Sequence, residues 1–163
     1  MDCPVCDFEV CDIRTLIERV ESRDLLITLA CDVAERIVCL TSCPARARKW
    51  LVAVRAWQDS PKAASRANTS ALNAVNVLKK ETPATSALRA VWAATWAAEA
   101  GGALSLTKSI VSSTTTFAAG ACEDPYSENE WQLHHAHQLF CTCPPAFKAD
   151  QMGPRGRRSL LAQ

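Results

Sequence analysis

Nine cysteines and three histidines are the residues of this 163-residue chain best equipped for chemistry. Cys3-Pro4-Val5-Cys6 has the CxxC spacing of a zinc knuckle, in which two intervening residues let both thiolates reach one tetrahedral ion. Cys11, or Cys141-Thr142-Cys143, could supply the remaining soft ligands. A second CxxC is missing, and closure through Cys141 and Cys143 would require the two ends of the chain to meet. The count is odd, and the start Met1-Asp2-Cys3-Pro4 has no cationic stretch followed by an apolar run, so no secretory signal is expected. These features point to a reducing, cytoplasmic setting, with the cysteines as free thiols buried like small apolar groups. No residue is assigned as a metal ligand.

His134, His135 and His137 fall near Cys141, and His137 with Cys141 share a helix face at a separation of four. No HExxH pattern accompanies them, so they read as solvated or paired locally with Glu130. A Gly-rich phosphate loop and a GxSxG elbow are both missing, and no histidine precedes residue 134 to activate a Cys or Ser nearby. Asp32 and Glu35 could form an acid–base pair, but Arg36 beside them favours a salt-bridged surface. The expectation is a protein that is not an enzyme and uses no cofactor.

Charge narrows the partners. A net charge of +1 from 18 basic and 17 acidic residues creates no global field for nucleic acid or an anionic membrane. The three arginines of the tail, Arg155, Arg157 and Arg158, add only a small electrostatic footprint. The most apolar stretch, Ala100 to Cys122, contains Lys108 and the run Ser112-Ser113-Thr114-Thr115-Thr116, which hydrocarbon would penalise.

The elements that must position these groups are helical. Asp12 to Ser22 repeats Ile13, Leu16, Ile17 and Val20 at spacings of three and four, and Arg23 to Ser42 places Leu26, Leu29, Ala30, Val33, Ile37 and Leu40 on one stripe. Ser42-Cys43-Pro44, Asp59-Ser60-Pro61 and Thr82-Pro83 each set proline near a first helical position, where its missing amide would have had no partner. Trp50, Val54 and Trp57 form the inner face after Pro44; Ala64, Ala67, Ala71, Val75 and Leu78 form it after Pro61, with Lys79 and Lys80 near the C-terminal dipole. Pro83 to Glu99 is alanine-rich and stops at Gly101-Gly102. Ala103 to Ala119 has β-branched residues suited to a strand, but Leu106, Ile110 and Phe117 fit a helical face, and helix is the reading taken. Ser127-Glu128-Asn129-Glu130 reads as a capping box opening a last helix that ends near Phe140. The predicted architecture is all-α, six or seven short antiparallel helices in stacked hairpins around one core. It divides into a cysteine-rich segment 1–11, a helical domain 12–143 and a basic, disordered tail 144–163.

Within that array, Ala30-Cys31-Asp32-Val33-Ala34-Glu35-Arg36-Ile37 is followed by Ala53-Val54-Arg55-Ala56-Trp57, an alanine-rich stretch carrying Trp92 and Trp96, and Trp131-Gln132. This order resembles the alanine-rich, all-helical immunity proteins of bacterial polymorphic toxin systems and their phage-encoded relatives. The likeness runs from about Leu25 to Phe140; the first ten residues, the Ser/Thr run around Thr115 and the tail have no counterpart. It implies a non-catalytic module that binds and neutralises a cognate toxin by occlusion. The residues expected at the partner surface are Asp32, Glu35, Arg36, Arg55, Trp57, Trp96 and Trp131. Asp32 and Arg36, one turn apart, can pair, and Glu35 and Arg55 continue the charged patch if the two helices pack as a hairpin. The same charges equally suit a solvated salt-bridge network setting the angle between the helices, and Trp50, Trp57, Trp92 and Trp96 read first as core. The alternative is a small zinc-stabilised adaptor or regulatory protein held by cysteines near both ends.

Overall fold

A computed structural model describes residues 12–100 and 103–141. The CxxC segment, the Gly101-Gly102 stop and the basic tail lie outside the described residues. Every regular element among the described residues is helical: α1 (Ile13–Glu18), α2 (Arg23–Ile37) with a 3-10 turn at Val38–Leu40, α3 (Pro44–Arg55), α4 (Pro61–Asn76), α5 (Pro83–Glu99), α6 (Leu104–Ala121) and α7 (Pro125–Phe140). The all-α reading therefore holds, including helix for the 103–119 stretch.

Local chemistry explains most of the boundaries. Proline stands at the first turn of α3, α4, α5 and α7. Only Thr82 among the three anticipated caps accepts a hydrogen bond through its side chain, from the Thr85 amide; Cys43 and Ser60 make none. Ser22 is not the end of the first helix but the cap of α2, accepting from the Leu25 amide. The capping box at Ser127 is also displaced. Asp124 caps α7 and Pro125 opens it, and the Ser127 amide donates to Asp124 Oδ1 at 3.1 Å. The Asp-Pro pair combines a strong acceptor with a preset φ, and starting one turn earlier turns Glu128 into the protein.

Helix α5 is the hub, packing against α2, α3, α4 and α6. Its buried side chains are mostly alanines, among them Ala87, Ala90, Ala93, Ala94 and Ala97. Such small groups let four neighbours approach one helix, but each buries little, roughly 0.8 kcal/mol per methyl. The larger apolar groups come from outside it: Leu26, Ile27, Leu29, Val33 and Ile37 on α2, Leu51 and Val54 on α3, Leu16 and Ile17 on α1. Leu40 and Leu106 do not join them. Leu40 is exposed because α2 ends at Ile37 and the 3-10 turn rotates it outward; Leu106 is exposed because Thr107, Lys108, Val111, Thr114 and Thr115 occupy the inner face of α6. Those threonines bury without penalty by donating to their own helix, as Thr114 Oγ1 does to the Ile110 carbonyl at 3.1 Å. Among the described residues, no helix is long and apolar enough to cross a membrane.

Candidate functional site

Helix α2 presents Asp32 and Arg36 one turn apart, on the side that meets the end of α3 and the start of α7. Neither pairs with the other. Asp32 Oδ1 accepts from Arg55, the last residue of α3, at 2.7 Å, and Asp32 Oδ2 lies 2.8 Å from His135 Nε2 on α7. Arg36 Nε donates to Glu128 Oε2 at 2.8 Å. The i,i+4 pairing is displaced because both α2 residues face neighbouring helices, whose partners need not bend along α2 to reach them. Glu35 is exposed and makes no ion pair with Arg55, on which its charge acts only from a distance. Burial works to lower the Arg55 pKa, but the Asp32 hydrogen bond and the charges of Asp32 and Glu35 outweigh it and raise the pKa.

Helix α7 contributes Glu128, Trp131, Gln132 and His135, spaced as one helical stripe. The indole of Trp131 stacks on His135 with centroids 4.8 Å apart, and the Arg36 guanidinium sits 4.3 Å from the Trp131 centroid. Glu128 is 4% exposed, and its second oxygen accepts from Gln132 Nε2, which also donates to the Thr115 carbonyl of α6. A continuous polar and aromatic network thus runs from Arg55 through Asp32, His135, Trp131, Arg36 and Glu128 to α6. From sequence His135 is expected solvated or paired with Glu130, and Glu128 and Gln132 enter only through the capping-box pattern and the Trp131-Gln132 likeness, with no partner on another helix. The structure instead pairs His135 with Asp32 and Glu128 with Arg36. The i, i+3, i+4, i+7 spacing of the α7 residues was visible, but nothing in it identified α2 as the helix they would meet.

Beside this network, α2 and the turn after α3 enclose a groove of about 310 Å³ whose lining includes Asp24, Arg55, Trp57 and Asp59. A second cavity of about 220 Å³ shares Trp57 and is bounded by α4 and the end of α5. Trp57 is half-buried rather than core, with the Arg23 guanidinium 4.8 Å from its ring centroid. Cys31 also lines the first groove. Burial pushes its thiol up to about 12, so it stays protonated at neutral pH and is a poor nucleophile. Trp96 is 38% exposed and stacked on Trp92 of the same helix at 5.5 Å, outside the network built on α2 and α7; Trp50, by contrast, is buried. Among the described residues no group of three His, Cys, Asp or Glu side chains is arranged to hold a metal ion.

The chain was compared with known proteins at the level of family, curated sequence and solved structure, and no match was found in any of the three.

Proposed function

We propose that this chain is a non-catalytic protein-binding module that neutralises a cognate toxin by covering it, as the resemblance of its α2 and α3 segments to bacterial immunity proteins implies. The observation that carries the reading is the Arg55–Asp32 bond. It joins Ala30–Ile37 to Ala53–Trp57, the two stretches on which the resemblance rests, into one surface. That surface carries arginine and tryptophan, residue types in which binding energy concentrates at protein interfaces, beside carboxylates that can set orientation. Binding would act by steric and electrostatic occlusion and would need no cofactor. A stable complex would cover about 800 Å² on each partner, more than the grooves alone offer, so the α2–α7 network would form part of the contact.

The test is co-expression with the product of a toxin gene encoded beside this one. Growth should be rescued by the native chain, while R55E or W57A should weaken the complex by about 2 kcal/mol. Failure to protect cells from any neighbouring toxin, together with the absence of a complex between the purified proteins, would remove the reading.

A further inference from the structure

The net charge of +1 conceals an uneven distribution along the chain. Between Pro44 and Lys80, which span α3, α4 and the turn after them, stand eight of the 18 basic residues but only one of the 17 acidic ones, Asp59. The rest of the chain is correspondingly acidic in balance. Of these eight cations only Arg55 has a carboxylate partner, Asp32. Arg46 lies over the buried Trp50, its guanidinium 5.2 Å from the ring centroid. Arg48 and Lys49 on α3, Lys62 and Arg66 on α4, and Lys79 and Lys80 beyond it are all exposed. None of these six makes a salt bridge or a side-chain hydrogen bond among the described residues. Burial explains why they share one side of the molecule. Helix α3 packs directly on α4. Ala47, Trp50, Leu51 and Val54 turn the inner face of α3 to the core, and Ala64, Ala67 and Ala71 do the same for α4, which leaves the cations on two neighbouring outer faces. Two valines stand among them, Val52 at 67% and Val77 at 72% exposed. Like charges gathered without compensation repel one another, and an anionic partner relieves that repulsion.

We infer that the outer faces of α3 and α4 dock an acidic segment of the partner protein, an inference that rests on the protein-binding reading above. Charge complementarity calls for carboxylates. Val52 and Val77 call for apolar side chains between them, which a protein segment has and a phosphate backbone lacks. Nor do the two helices offer a nucleic acid a platform for its bases, because their one aromatic residue, Trp50, is buried. The acidic balance elsewhere keeps the attraction local, so a negatively charged segment is steered onto α3 and α4 rather than onto another face. This surface adjoins Arg55, the last residue of α3, and so extends the contact proposed above.

Nuclear magnetic resonance on the full chain tests this. The probes are a short peptide in which paired glutamates alternate with leucine, the same peptide with glutamine for glutamate, the same with lysine, and a single-stranded RNA of equal charge. The glutamate peptide should shift the amide signals of α3 and α4 and the indole N–H of Trp50 beneath Arg46, which W50F identifies. The glutamine and lysine peptides should leave them in place. The K49Q/K62Q/R66Q variant should bind the glutamate peptide about tenfold more weakly, and added salt should weaken binding by the native chain, a readout independent of whether the variant folds. R155Q/R157Q/R158Q removes equal charge from the tail and should bind as the native chain does. Equal affinity for the glutamine peptide, unchanged affinity in a folded K49Q/K62Q/R66Q variant, equal weakening by the tail variant, or tighter binding of the RNA would overturn the inference. Toxin rescue separates the two levels. If native protein rescues and K49Q/K62Q/R66Q rescues equally well, the acidic-segment inference fails while the binding function stands. If the glutamate peptide binds as expected but no toxin is neutralised, the immunity reading fails and the preference of this surface for acidic segments remains.

Discussion

Glu128 concentrates the electrostatic risk of the α2–α7 contact in one side chain. It is 4% exposed, whereas its partner Arg36 is 43% exposed, so the carboxylate depends on the arginine far more than the reverse. R36A leaves that carboxylate with Gln132 as its side-chain donor and should cost about 2 kcal/mol in urea denaturation, less than a fully buried pair because water reaches the arginine side. Adding E128Q to R36A removes the stranded charge and should restore roughly half of the loss; a double variant no more stable than R36A would contradict this account. His137 makes a pH prediction of the opposite kind. Burial, and then the neighbouring His134, lower its pKa from 6.5. The folded state thus binds this proton less readily than the unfolded chain. Its penalty is absent above about pH 7 and grows as the pH falls through the unfolded value toward the folded one. H137Q should therefore flatten the decline in stability between about pH 7 and pH 5 relative to the native chain, measured as denaturation midpoints across that range.

At the scale of the element, α1 is the helix most dependent on a single contact from elsewhere. It has only six residues, too few to persist alone. Leu16 and Ile17 seat it against the core, and Lys108 Nζ of α6 donates to the Glu18 carbonyl at 2.7 Å, satisfying the end of the helix with a charged donor. K108M keeps the apolar stem but removes this bond. It should cost about 2 kcal/mol and release the amides of α1 to hydrogen exchange while those of α5 stay protected. Equal loss of protection in both helices would show Lys108 to be part of the global core instead. The sequence marked the starts of α3, α4 and α5 correctly because proline acts locally. It missed the true start of α7 by one turn, since two adjacent sequences, Asp124-Pro125 and Ser127 with Glu130, both satisfy the rules for a helix start and only the burial of Glu128 separates them.

For the whole molecule, the hub position of α5 governs cooperativity. Four helices rest on it, so it cannot open without exposing the inner faces of α2, α3, α4 and α6 together. Hydrogen exchange should be slowest in α5 and the facing turns of α2 and α6, and fastest in α1; α5 exchanging as fast as α1 would rule out this organisation. The order of packing was not legible beforehand. Short connections suggested hairpins stacked in sequence, and α3 through α7 do pack consecutively, but α1 lies on α6 and α7, and α2 packs more extensively on α5 and α6 than on α3.

Periodicity, alanine content and proline placement by themselves determined that the described part of this chain is helical, where most of its helices begin, and most of their inner-face residues, though not the exposure of Leu40 and Leu106. These are properties of a single turn or a single face, decided over a few residues of backbone. Tertiary structure alone decided that Asp32 pairs with Arg55 and His135 rather than with Arg36, that Glu128 is buried, and that Trp57 borders two cavities while Trp96 lies apart. Each of these outcomes depends on which helices become neighbours and at what rotation. Those are fixed by how small alanine faces and large apolar faces fill a common core, a condition that involves the entire chain at once.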